Sequence, residues 1–224
     1  MASARVTAPQ LNQEQSPFST SPSWRRLDHP TGHNRFRREQ RDEAAAKWTS
    51  EFPDRAAYML GMRLPPRDKI PILEAAAAAA RQIGDRRAEG GHLGNLGLAY
   101  ADLGEVRRAI EYYEQALAIS REIGDRRGEG NDLGNLGIAY KNLGEVRRAI
   151  EYCEQALSVA REIGDRRMEG NALANLGLLA KGQGDLARAR QLWEQALDIY
   201  EAIEDPNAER VRGWLDELAG ASAP

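Results

Sequence analysis

GDRRAEGGHLGNLGLAYADLGEVRRAIEYYEQALAISREI, residues 84–123, is followed at once by GDRRGEGNDLGNLGIAYKNLGEVRRAIEYCEQALSVAREI, residues 124–163. The two stretches differ at ten of forty positions: 88, 91, 92, 98, 101, 102, 113, 118, 119 and 120, each against its partner forty residues on. A third, more diverged version occupies residues 164–203. Self-similarity at a fixed period marks stacked supersecondary units, each too small to bury its own apolar face, rather than an enzyme fold built around one pocket.

Each unit reads as two amphipathic helices punctuated by glycine. Helix A of the first unit should run from about Arg86 to Leu103 and stop at Gly104, because glycine takes the left-handed turn that ends a helix without a steric penalty. Helix B should follow from Glu105 or Val106 to Ile123. Its residues Val106, Ala109, Ile110, Tyr113, Ala116, Leu117 and Ser120 recur at the three-and-four spacing of one buried face. Gly124 then stops helix B and Asp125 caps the next helix A, so the Gly-Asp pairs at 84, 124 and 164 act as stop-and-start signals. Such short joins fold the helices back antiparallel. Gly97, Gly137 and Gly177, with the alanines at 109, 116, 149, 156, 189 and 196, mark where helices approach most closely.

Outside the three units the pattern weakens. Ile70, Leu73, Glu74, Ala76, Arg81, Gln82 and Ile83 align with Ile110, Tyr113, Glu114, Ala116, Arg121, Glu122 and Ile123, so residues 43–83 read as a degenerate first repeat, its helix A shortened by Pro53 and closed by Pro65 and Pro66. Residues 204–220 offer Val211, Trp214, Leu215 and Leu218 on one face, as a terminal capping helix requires. Residues 1–42 are rich in Ser, Pro, Gln, Asn and Arg, lack a sustained period, and read as a disordered basic arm.

The motif Leu93-x2-Leu96-Gly97-x2-Tyr100, followed by Ala109-x3-Tyr113-x2-Ala116, resembles the tetratricopeptide repeat. Leu93, Leu133 and Leu173 stand in the place of that family's opening Trp, and the Gly-Asp turn replaces its terminal Pro. The forty-residue period resembles the long-helix subclass found in kinesin light chains, polarity adaptors and bacterial signalling ATPases. The resemblance implies an all-α fold, a right-handed α-solenoid of antiparallel helix hairpins, whose A helices line a concave groove.

Composition narrows the function classes. With 224 residues, 42% hydrophobic and 29% charged, the chain has no run of the eighteen or so apolar residues that a membrane span needs. MASARVTAPQ lacks the apolar core of a secretory signal. A cytoplasmic protein without membrane contact is the expectation, and the lone Cys153 fits a reducing compartment. Residues 1–50 hold eight Arg/Lys against five Asp/Glu, or +3, leaving −6 for the rest of a chain whose net charge is −3.

Little of this chain points to chemistry. His29, His33 and His92 lack converging ligands, so no metal site is expected. Cys153 occupies the aromatic slot of helix B and reads as a buried structural thiol. The stretch GEGNDLGNLG at 128–137 has no preceding strand and no following Gly-Lys-Ser/Thr, and reads as close helix packing rather than a phosphate loop. Glu111 and Glu114 recur on the convex face with no pocket to tune them. No catalytic residue and no cofactor are expected, and the protein is read as not an enzyme.

The family's groove positions carry over to Gly91, Gly94, Leu98, Ala101 and Asp102 in the first unit. In the second they fall on Asn131, Gly134, Ile138, Lys141 and Asn142, and in the third on Asn171, Ala174, Leu178 and Lys181. Four of the first five (91, 98, 101 and 102) are among the ten differences, more than random scatter would place there. Convex residues such as Glu105, Arg107, Arg108 and Glu111 recur unchanged. Leu98, Ile138 and Leu178 form an aliphatic ladder flanked by Asn131, Asn171, Lys141 and Lys181. Two accounts of that ladder stay open: contact with a ligand, or packing between neighbouring A helices.

The sequence therefore implies a protein-protein interaction scaffold or adaptor whose partner is a peptide segment with apolar and some acidic residues. Two alternatives remain. One is a regulatory or sensor module detached from a bacterial signalling ATPase. The other is nucleic-acid contact through Arg25, Arg26, Arg35, Arg37, Arg38 and Arg41, a minor expectation because charge runs are usually solvated. Self-association through stacked ends is also left open.

Overall fold

The computed structural model describes residues 42–51 and 65–221, and every regular element among them is helical. Residues 42–51 form α1. The rest follow in order: α2 (Pro66–Ile83), α3 (Arg86–Asp102), α4 (Val106–Glu122), α5 (Arg126–Asn142), α6 (Val146–Ile163), α7 (Arg166–Gly182), α8 (Leu186–Ala202) and α9 (Asn207–Ala221). The basic arm, His29 and His33, and Pro53 lie outside the described residues.

The boundaries follow from local chemistry. Gly84, Gly104, Gly124, Gly144, Gly164 and Gly184 all take positive φ between 68° and 83°. After them, Asp85, Asp125, Asp165 and Asp185 each accept a backbone N–H three residues on through the side chain, at 2.9–3.0 Å. That bond satisfies one of the four orphan donors at a helix start. The last turn breaks the rule: Glu204 stands in the glycine slot and is the one described non-glycine residue at positive φ, 53°.

Packing joins α3 to α4, α5 to α6 and α7 to α8 as hairpins, and each B helix also contacts the next A helix. The A helices α3, α5 and α7 also touch one another in sequence. Close approach inside each hairpin depends on glycine. A Cβ on Gly97 would lie 2.5 Å from the Tyr113 ring, and one on Gly137 would lie 2.5 Å from Cys153 Sγ. Gly177 faces Trp193 in the same way. The slot at 113, 153 and 193 thus changes from Tyr to Cys to Trp while glycine opposite accommodates each.

One apolar cluster runs from Leu73 in α2 through Leu96, Tyr113, Leu133, Leu136 and Cys153 to Leu179. A second gathers Leu173, Trp193, Tyr200, Val211 and Leu218 around α7, α8 and α9. Val211 is fully buried, and Trp214 lies 5.2 Å from Trp193, ring centre to ring centre. The amphipathic face of α9 therefore closes the end of the array.

Buried carboxylates at the start of each A helix lock the stack. Glu89 is held by Arg81 and Arg86 at 2.6 and 2.5 Å, Glu129 by Arg121 and Arg126, and Glu169 by Arg161 and Arg166. Burial pushes the Glu129 carboxyl up, but its two arginines outweigh that and hold it below the usual range. Arg87, Arg127 and Arg167 reach forward to Asp125, Asp165 and Asp205 at 3.1, 3.2 and 2.7 Å, linking successive turns.

Candidate functional site

Two recesses open between consecutive A helices. The first, about 530 Å³, lies between α3 and α5 and includes Gly91, Gly94, Leu98 and Asn131. The second, about 400 Å³, lies between α5 and α7 and includes Asn131, Gly134, Ile138, Lys141, Asn171, Ala174 and Leu178. Most of the groove positions implied by the family resemblance line one or the other recess, as their three-and-four spacing allows. Ala101, Asp102, Asn142 and Lys181 line neither recess. Lys181 is turned toward α9, where its Nζ meets Glu217 at 3.1 Å and lies over the Trp193 ring.

The aliphatic ladder is not uniform. Leu98 and Ile138 are 46% and 39% exposed, although both are on helices with large buried faces. Leu178 is half-buried against the second apolar cluster. Two rungs thus face solvent and the third has a packing role.

Several lining residues were not singled out by spacing. Asn95, Asn135 and Asn175 occupy one position in three units and all line the recesses. Their invariance across the repeats was the available signal. Arg210 and Trp214 reach the second recess from α9, with the guanidinium 5.3 Å from the indole centre. They lie outside the repeat, so no periodicity could place them.

Asp132 was also missed, although position 92/132 is one of the ten differences. It is 7% exposed, lines the first recess, and accepts a hydrogen bond from Ser120 Oγ at Oδ2, 2.9 Å away. Burial, more than its acidic neighbours Asp125 and Glu129, pushes its carboxyl up to about 7 against the lowering effect of Ser120. His92, its counterpart one unit earlier, is buried against α1, with Nε2 3.4 Å from Ser50 Oγ and Nδ1 unpartnered. Cys153 is buried, and burial raises its thiol to about 11, which keeps it protonated and unreactive. Among the described residues, no three His, Cys, Asp or Glu side chains are grouped to hold a metal ion. No described helix is long and apolar enough to cross a membrane.

Two tetratricopeptide-repeat family models match the chain, one over residues 93–127 and one over 131–202. The matched hairpins are repeats of the tetratricopeptide family. Arrays of this family are protein-interaction scaffolds, generally without catalysis of their own, and this chain has their architecture. No curated protein matches it.

Among solved structures, the tetratricopeptide array is similar to a signal transduction ATPase with a tetratricopeptide repeat sensor from Pyrococcus horikoshii. That match has a TM-score of 0.66 at 22% identity, over 79% of this chain and 27% of that one. It is also similar to aspartyl phosphate phosphatase F from Bacillus subtilis, with a TM-score of 0.62 at 17% identity, over 66% and 39% of the two chains. A third is a Podosopora anserina putative kinesin light chain with nearly identical repeats, with a TM-score of 0.57 at 20% identity, over 82% and 86%. At these identities the likeness concerns the fold. The chain spans well under half the length of the first two.

Proposed function

We propose that this protein is a non-catalytic cytoplasmic adaptor that binds a peptide segment of another protein along its A helices. The carrying observation is the pair Leu98 and Ile138, aliphatic side chains left exposed at equivalent points of two recesses with glycine-rich walls. Small lining residues leave room for the ligand's own side chains, and exposed aliphatic groups supply apolar area that binding would remove from water. Asn95, Asn131, Asn135, Asn171 and Asn175 add donors and acceptors suited to a peptide backbone. Lys141 and Arg210 in the second recess favour an acidic residue there.

Selection of a random peptide library displayed on phage, against the immobilised protein, tests this reading. Enriched peptides should carry spaced apolar residues and lose binding to Leu98→Asp/Ile138→Asp protein whose circular dichroism stays helical. Equal binding by that double variant would sink the groove assignment.

A further inference from the structure

The molecule holds five buried carboxylates among its described residues: Glu89, Glu129, Asp132, Glu169 and Asp205. Four are neutralised by arginine: the three glutamates by two each, and Asp205 by Arg167. Asp132 has only the Ser120 hydroxyl. Arg87, which lines the same recess, is already committed to Asp125. Asp132 Oδ1 lies 3.5 Å from where a Cβ on Gly94 would stand, so the glycine leaves that oxygen uncovered on the recess side.

A carboxylate removed from water without a cation is costly, and such groups cluster where a ligand supplies the missing charge. The corresponding site one repeat later is different in kind: Ser120, Gly128 and Asp132 become Ala160, Met168 and Ala172. There the recess carries Lys141 and Arg210 instead.

We propose that the α3/α5 recess is a socket for a lysine or arginine side chain of the bound peptide, with Asp132 as its counter-charge. The α5/α7 recess takes an acidic residue of the same peptide against Lys141 and Arg210, so opposite charges at the two ends set the direction in which the segment lies. This rests on the peptide reading above and adds the basic residue and the direction to it. The recess is polar enough for the cation's remaining donors, since Asn95, Asn131 and Asn135 surround it.

The phage library is selected in parallel against wild type and Asp132→Asn, whose amide oxygen still accepts the Ser120 hydrogen bond. Wild type should enrich Lys or Arg at one position, and Asp132→Asn should lose that preference while keeping the apolar positions. A synthetic peptide from the wild-type pool should bind about tenfold more weakly once its basic residue is replaced by norleucine, or about 1.4 kcal/mol. That second measurement uses wild-type protein alone, so it stands even if the variant misfolds.

Enrichment of apolar peptides with no basic position, or equal binding of the norleucine peptide, overturns the socket and leaves the groove reading intact. A library that yields no binder overturns both. Self-association of the protein that Asp132→Asn abolishes would assign the socket to a second copy and overturn the peptide proposal.

Discussion

The junction between the first and second repeats and the junction between the second and third use the same places on the same kinds of helix, yet one is polar and the other apolar. At the first, Ser120 and Asp132 share a hydrogen bond over Gly128. At the second, Met168 stands in the place of Gly128 and lies close against Gly130, and Ala160 and Ala172 stand in place of the hydroxyl and the carboxylate. Three of the ten differences between the first two units thus belong to one cluster rather than to scattered drift. Gly128 leaves room for the hydroxyl of the first solution, since a Cβ there would lie 2.8 Å from Ser120 Oγ. The apolar junction adds cohesion, whereas the polar one leaves a buried charge at the edge of the groove.

The sharpest way to break this comparison is Ala172→Asp, which puts a carboxylate in the apolar junction with no hydroxyl to hold it. We expect a loss of about 3 kcal/mol at pH 8 in urea unfolding followed by helical circular dichroism. A negligible loss would mean that the two junctions are equally permissive.

Asp132→Asn should act in the opposite direction. The Asp132 carboxyl stands at about 7, raised chiefly by burial, whereas an unfolded chain releases that proton near 3.9. Between those values the folded chain holds a proton that the unfolded chain has lost, so stability falls as pH rises through the window. Asp132→Asn should therefore gain on the order of 1 kcal/mol at pH 8 and little near pH 4. A gain of the same size at both pH values would show that charge is not its source.

The smallest effect tests what the junctions share. Arg87→Ala and Arg127→Ala each remove an exposed arm reaching the next capping aspartate. Each should cost about 0.5 kcal/mol and become silent in high salt. Unequal losses would show that the ion pairs contribute to the difference between junctions.

Much of this was legible in the chain because it is local. Gly104 and Gly124 stop helices through backbone freedom, and Asp125 starts the next through its own side chain, so both operate within a few residues. The face carrying Gly91, Gly94 and Leu98 came from the family resemblance, and their three-and-four spacing agrees with it. Lys181 shows the limit: spacing groups it with Lys141, but Glu217 on α9 draws it aside. Asp132 shows another limit, because its neighbours along the helix do not reveal that no arginine reaches it.

The repeat by itself determined that the chain would be hairpins of two helices and where each begins and ends, since those depend on period and on caps. Only tertiary structure decided which charges are neutralised, which aliphatic rungs stay in solvent, and how α9 completes the second recess. Those outcomes depend on side chains forty residues apart, or outside the repeat altogether, whose positions follow from how the helices stack.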